Sequence, residues 1–392
     1  VNILTLVTTT DSCNEIFPMT IGRVRRSFRS QIILLALVEL LVVTAFHGRY
    51  GNGRAHVSSR TVSFLRLAPN EEGDWINHGL LLSSFSDGLK PNPEAIDFLM
   101  RGLVASLWRE QQTAAESDVV KSAIQSPCCG PDLDAIMNME VADDAILQLE
   151  EGKASWQDTL AGLVDRDNHD KPLELRFMYI PTAMYALRKD STNSPGKQRQ
   201  RARADAKKRR NEIVELLSSQ LGESVTISAI TLDLDDGSIK HAEGSNDSAV
   251  FPKSGKEAFQ TWKPHLIYVQ GGNTFWLYHC IEKGNWGDEI VKACTGKNAA
   301  VYCGTSAGAI VMGRSMDTAC WKEWDDPSIV ANRASYNDWK DIQGFGLVGE
   351  WSFFPHMDDS WQALVDKQLS ACAANGKVVC LKDQEVCCVQ GD

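Results

Sequence analysis

The sequence has no Cys-x-x-Cys, no Cys-x-Cys and no histidine pair at helical spacing, although 11 cysteines and eight histidines are spread over 392 residues. Without ligand pairs of that kind, a zinc site finds little support. The cysteines are odd in number, and only Cys128-Cys129 and Cys387-Cys388 are adjacent, which does not describe a disulfide framework. Positive charge is also in short supply. Forty basic residues against 51 acidic ones leave a formal charge of −11, which argues against a general nucleic-acid binder. The apolar run Ile32–Phe46 is fifteen residues broken by Glu39, short for a membrane span. With 43% hydrophobic residues, the chain can still bury a sizeable core, and its length suggests two or three domains.

The first 70 residues read as a leader. Arg23, Arg25, Arg26 and Arg29 precede the Ile32–Phe46 run, and Thr44-Ala45 offers small residues for cleavage, as in a signal peptide. From His47 to Asn70 the chain carries Arg49, Arg54, Arg60 and Arg66 and no acid until Glu71. That composition resembles an organellar transit peptide behind a signal peptide, the two-part leader of algal plastids with secondary-endosymbiont membranes, and Phe46 fits the residue after cleavage. A single signal anchor with a disordered stem fits as well. Entry into the secretory pathway is expected on either reading, with membrane contact only through an uncleaved leader. The chain opens on Val1 rather than Met, so further residues are expected upstream.

Residues 71–392 alternate between strand and helix patterns. Gly79–Phe85, Leu173–Ile180, Val225–Leu232, His265–Val269 and Lys377–Leu381 read as strands, and Pro93–Trp108 as a helix with apolar residues at helical spacing. Such alternation predicts an α/β fold, a mainly parallel sheet with helices on both faces. Residues 109–170 are acidic and less regular, and are read as an insertion with helix around Val141–Leu149 and Trp156–Val164. The basic run Lys197–Arg210 reads as a solvated helix face whose far end, Ile213, Leu216 and Leu217, packs on the sheet, ahead of a nuclear signal or phosphate patch. Asp233, Asp235 and Asp236 are a polar loop more readily than a cation site. Asn246-Asp247-Ser248 is a lone glycosylation sequon.

The chain is organised around Ala299–Gly313 (AAVYCGTSAGAIVMG). An apolar strand, Ala299–Cys303, runs into Gly304-Thr305-Ser306-Ala307-Gly308 and then a helix. This is the context in which Gly-x-Ser-x-Gly acts as a nucleophile elbow. Ser306 would point outward with the Ala307 N–H facing the same space. A serine that merely caps the helix is the plain alternative. In parallel sheets, ligands sit at the carboxyl ends of strands, where Gln270-Gly271-Gly272-Asn273-Thr274 also falls. Gly271 or Gly272 could add a second oxyanion donor, and Asn273 could cap the helix that follows.

Gly271-Gly272-Asn273-Thr274-Phe275, a spacer of about thirty residues, and Gly304–Ala309 together resemble the peptidase E family of serine peptidases. That family includes aspartyl dipeptidase and cyanophycinase, and its fold is related to class I glutamine amidotransferases. The similarity is firm over Lys263–Gly313 and traceable from Gly79 to Asp392, apart from residues 109–170. The family's order, serine then histidine then acid, implies that His356, after Phe353-Phe354-Pro355, is the base. It points to Asp383 as the acid, with Glu385 as the fallback. Asp358 and Asp359 read as caps of the following helix. The implied activity is amide hydrolysis of a short peptide, such as a dipeptide with N-terminal Asp or an isoaspartyl bond, through an acyl-enzyme with no metal or cofactor. An α/β-hydrolase esterase and a non-catalytic binding domain are the rivals.

The sequence also departs from the family. The family continues past the acid with further strands, whereas this chain ends at Asp392; a truncated gene model or a differently closed fold is the expectation. Between His356 and Asp383 only Lys367, Lys377 and Lys382 are basic, so the family's arginine-bearing segment is missing. Trp321, Trp324, Trp339 and Trp351 precede His356 instead, as pocket wall or as core.

Overall fold

The computed structural model describes residues 62–67, 76–125, 146–166, 172–241, 250–296, 298–371 and 377–391, all within a unit that takes in Arg60–Asp392. The Ile32–Phe46 run, the Cys128-Cys129 pair and the Asn246 sequon lie outside the described residues. Ten strands are present among them. They are β1 (Val62–Leu67), β2 (His78–Leu82), β3 (Leu173–Ile180), β4 (Val225–Leu232), β5 (Ile239–His241), β6 (Leu266–Val269), β7 (Val301–Thr305), β8 (Trp351–Phe354), β9 (Lys377–Cys380) and β10 (Val386–Gly391). The helices that matter are α1 (Pro93–Gln125), α2 (Trp156–Arg166), α3 (Pro195–Leu221), α4 (Thr274–Gly284), α5 (Gly287–Cys294), α6 (Ala307–Met312), α7 (Asp317–Trp321) and α8 (Gln362–Ala371).

Eight strands form one sheet in the order β1-β10-β2-β7-β6-β3-β4-β5. The five central strands, β2 to β4 in that order, are mutually parallel, while β10 against β2 and β5 against β4 are antiparallel. Alternate residues of the central strands feed two cores, because successive side chains point to opposite faces. Leu80, Leu82, Phe177, Tyr179, Tyr268 and Cys303 pack with α1, α2 and α3 on one face. Leu81, Met178, Ile180, Ile267 and Tyr302 pack with α4, α5 and α6 on the other. The fold is therefore the α/β sheet with helices on both faces that the alternation implies.

The strand read from Gly79 to Phe85 ends at Leu82, with Phe85 in the helical turn that follows, and three further boundaries differ from the sequence reading in ways that bear on the fold. Val62–Leu67, counted there in the leader, pairs in parallel with β10 as the edge strand and buries Val62, Leu65 and Leu67. Composition groups these residues with the arginine-rich stretch before them, but the local pattern Val-Ser-Phe-Leu-Arg-Leu is that of a strand. The helix from Pro93 does not stop at Trp108 but runs on to Gln125, since no glycine or proline interrupts Arg109–Gln125. Arg109 pairs with Glu150, and Glu110 with Arg176 and His265, so the insertion is tied to the sheet by charge. Trp156, Leu160 and Leu163 of α2 are buried in the same core. Finally, β7 lies two residues later than expected and keeps Gly304 and Thr305 inside the strand.

The adjacent cysteines of β10 are strand residues, with Cys387 in one core and Cys388 in the other. Burial pushes the Cys387 thiol up to about 12. The basic run forms α3, capped by Ser194 and opened by Pro195. It is not wholly a solvated face. Arg210 turns inward to donate to Thr231 Oγ1 at 2.9 Å, and the Arg209 guanidinium lies 5.1 Å over the Phe85 ring. Ile213 and Leu217 are buried as expected, with Leu216 packed at the core's margin. No helix among the described residues is long and apolar enough to cross a membrane.

Among the four tryptophans, Trp339 is fully buried and donates its Nε1–H to Arg333 O at 2.8 Å. Trp321 is buried with Phe354, Met357 and Val365 in a small separate core, while Trp324 is 58% exposed. Trp339→Ala is expected to cost about 3–5 kcal/mol through the cavity it leaves, and Trp324→Ala no more than about 1 kcal/mol through a lost cation–π contact. Urea unfolding midpoints of the two variants check this difference.

Candidate active site

Ser306 sits alone between β7 and α6 with φ 50° and ψ −108°. That conformation costs a residue with a side chain about 1–3 kcal/mol and persists only where the surroundings impose it. Here Ser306 N–H donates to Leu82 O at 2.8 Å, while Ser306 O receives Ala309 and Ile310 N–H at 2.9 and 3.0 Å. The flanking glycines do not make the turn; they allow close approach. A Cβ on Gly308 would lie 2.3 Å from Val269 O, and one on Gly304 would lie 2.6 Å from Gly308 O. Without those side chains, α6 can sit directly against β6 and β7 and aim Ser306 off the carboxyl edge of the sheet.

His356 reaches Ser306 from a second, smaller sheet. β8 and β9 pair only with each other, in parallel, with Phe354 opposite Cys380. Parallel pairing makes both strands end at the same side, so His356, two residues past Phe354, meets Asp383, three residues past Cys380. His356 Nδ1 lies 2.6 Å from Asp383 Oδ1, and His356 Nε2 lies 3.0 Å from Ser306 Oγ. With Nδ1–H directed at the carboxylate, Nε2 is left as an acceptor for the serine hydroxyl. The His356 and Asp383 side chains are 31% and 55% exposed, so the site is open to solvent on this side.

The other sequence-marked residues fall around the same point. A Cβ on Gly271 would lie 2.8 Å from Ser306 Cβ, which places its backbone directly against the serine. Gly272 has φ 149° and packs on Ala183, where a Cβ would meet the backbone at 2.5 Å. Ala307 opens α6, so its N–H is one of those a helix leaves without an internal acceptor. Asn273 caps α4 by accepting from Trp276 N–H at 2.9 Å. Glu385 is not brought to the histidine; it accepts from Lys382 N–H at 2.9 Å and closes the turn that presents Asp383. Asp358 accepts from Ser360 N–H at 2.8 Å and caps the turn before α8, as its position suggests.

Several residues at the site carry no sequence motif. Ser83, just past β2, accepts His356 N–H at 2.8 Å and donates to Leu381 O at 2.9 Å. Its place at the carboxyl end of a parallel strand was the available signal. The segment after α7 supplies Lys322, Trp324 and Asp325. The Trp324 ring lies 5.9 Å from the His356 ring and forms a wall. Asp325 Oδ2 accepts Thr274 N–H at 2.7 Å, and burial raises its carboxyl above the ordinary value against that bond.

Other candidates do not join this cluster. His265 is buried against Arg176 and Glu110, and His279 lies against Trp276 on α4. Asp233 accepts from Asp235 N–H at 3.2 Å, Asp235 pairs with Lys283 at 2.7 Å, and Asp236 accepts from Ser238 N–H at 2.8 Å. This is the polar loop expected after β4, and no metal-binding group of three His, Cys, Asp or Glu residues occurs among the described residues.

Comparison with known proteins bears on the same region. Residues 255–392 match the model of peptidase family S51, whereas no curated protein matches the chain. Among solved structures, a protein assigned as a peptidase E from Listeria monocytogenes EGD-e is similar at 14% identity, covering 79% of this chain and 93% of its own, with a TM-score of 0.35. A peptidase from an acI-B1 actinobacterium is similar at 15% identity, covering 75% of this chain and 76% of its own, with a TM-score of 0.27. The match to peptidase family S51 is thus confined to the part of the chain that holds the serine, the histidine and the carboxylate described above, and it is there that this protein is similar to a family of serine peptidases.

Proposed function

We propose that Ser306, His356 and Asp383 act as a catalytic triad that hydrolyses an amide bond of a short peptide through an acyl-enzyme. The observation that carries this reading is the unbroken hydrogen-bonded sequence Ser306 Oγ, His356 Nε2, His356 Nδ1 and Asp383 Oδ1. In the first half, Ser306 Oγ attacks the scissile carbonyl as His356 takes its proton. The tetrahedral oxyanion is met by Ala307 N–H and by an N–H of Gly271 or Gly272. His356 then returns the proton to the leaving amine as the C–N bond breaks. Water repeats the sequence on the ester, with His356 as base, and frees Ser306. Asp383 keeps Nδ1 protonated and stabilises the imidazolium. The turn at Ser306 is then a nucleophile elbow, and no step calls for a metal or cofactor.

The position of Asp383 after His356 supports a peptidase reading over an α/β-hydrolase esterase, whose acid precedes its histidine. The 2.6 Å contact of that acid with the imidazole supports a working enzyme over a binding domain. Trp324, exposed beside His356, gives the leaving side of the substrate an apolar wall.

Ser306→Ala is expected to abolish both cleavage of a dipeptide panel and labelling by a fluorophosphonate. The panel should hold Asp-X, isoaspartyl and neutral N-termini, so that cleavage also reads side-chain preference. A folded wild-type protein that neither cleaves nor labels would sink the reading.

Asp383→Asn should lower kcat by about 10³- to 10⁴-fold through loss of the histidine's orientation and charge partner. Glu385→Gln should stay within about threefold of wild type, because its contact is with a turn N–H rather than with the imidazole. Equal losses in the two variants would reassign the acid.

A further inference from the structure

Among the described residues, His356 is one of six non-glycine residues held at positive φ, here 55°. Such a backbone is unfavourable for L-residues and needs contacts on both sides to persist. Its N–H is held by Ser83 Oγ at 2.8 Å, and the next residue, Met357, donates its N–H to Leu381 O at 2.8 Å. The remaining backbone group, the His356 carbonyl, accepts from the Lys322 ammonium, which also donates to Pro355 O at 3.0 Å. One cation therefore spans both carbonyls that flank the φ angle.

The ammonium is in turn fixed by rings. Lys322 Nζ lies 4.2 Å from the centroid of Trp324, 4.4 Å from Phe354 and 5.0 Å from Trp361, within the range where an aromatic face attracts a cation. Trp324 is the same ring that stands beside the His356 imidazole. A lysine used only for surface solubility would keep its charged end in water; this one is half-buried at a backbone corner.

Resting on the triad reading, we propose that Lys322 is a positioning residue: its charged ammonium holds the Pro355–His356 carbonyls so that the imidazole stays between Ser306 and Asp383. Only the protonated lysine can donate to both carbonyls at full strength. Burial lowers its proton affinity to about 8, while Asp358 and Asp383 oppose that shift. The charged or titratable groups that act on it are Asp358, Asp383 and Cys380, and Lys382 and Asp359, the sequence neighbours of those aspartates, pair with each other at 3.9 Å. The sign follows. Below about pH 8 the clamp is charged, and above it the charge is lost, so reaction at Ser306 declines as pH rises through that value.

The test is the rate of fluorophosphonate labelling from pH 6 to 10 for the full-chain wild type, Lys322→Met and Lys322→Arg, each with its thermal unfolding midpoint. Lys322→Met should label about 10- to 100-fold more slowly at pH 7, the loss expected when a reacting group is slightly misplaced. It should also lose the alkaline decline. Lys322→Arg, charged throughout, should label faster than Lys322→Met and move the decline to higher pH. Labelling by Lys322→Met within about twofold of wild type would overturn the proposal. So would an alkaline decline unchanged in either variant, or a folded Lys322→Arg no faster than Lys322→Met. If Lys322→Met does not fold, the pH profile of Lys322→Arg decides alone. A wild type that does not label at all is a failure of the triad reading, not of this one.

Discussion

The parallel pairing of β8 with β9 is the contact on which the site depends. These strands lie outside the main sheet and touch it through few polar links, chiefly Ser83, whose hydroxyl bonds both His356 N–H and Leu381 O. Because paired parallel strands end together, the register Phe354 to Cys380 delivers a histidine and a carboxylate to one place from segments 27 residues apart. A slip of one residue would turn alternate side chains to the opposite face. It would also carry Asp383 away from the imidazole. The small core of Trp321, Phe354, Met357 and Val365 holds that register from below.

Two strained residues meet at the centre of this arrangement. Ser306 and His356 both have positive φ, and the N–H of each is held at the end of β2, by Leu82 O and by Ser83 Oγ respectively. Neither conformation is favoured by its own residue, so each is stored in the surrounding packing. The glycines contribute through proximity. Gly308 lets α6 press on Val269, and Gly271 lets its loop lie against Ser306. Ser306, His356 and Asp383 are thus positioned by strand ends and a helix, while Asp383 and Trp324 remain open to solvent.

Charge is distributed so that this edge and the opposite one have different work. At the amino end of the sheet, Glu110 bonds Arg176 and His265 and is held down to about 2, a closed network that binds α1 to β3 and β6. At the carboxyl end, Lys322 and Asp325 are part-buried beside the serine and histidine, and burial moves each toward its neutral form. Groups shifted in that way cluster at functional sites more often than at structural ones.

Much of this was legible in the residue order. Periodicity located β3 and β4 to the residue, and the sequence of strand, Gly-x-Ser-x-Gly and helix singled out Ser306. Local chemistry decides such features, because strand pattern, turn residues and helix caps act over a few positions. The resemblance to peptidase E reached His356 and Asp383 by motif order, but their 2.6 Å contact is a product of β8–β9 register. The residues that composition misplaced, Val62–Leu67 and Arg109–Gln125, carry a strand pattern and a run free of glycine and proline, local signals outweighed by their arginine-rich and acidic surroundings. Ser83, Lys322 and the wall made by Trp324 had no local signature at all. A serine after a strand, a lysine after a short helix and an exposed tryptophan become a site only when the fold brings them to the same histidine. Local pattern determined the elements and the turn that carries Ser306, and long-range packing decided which side chains meet it.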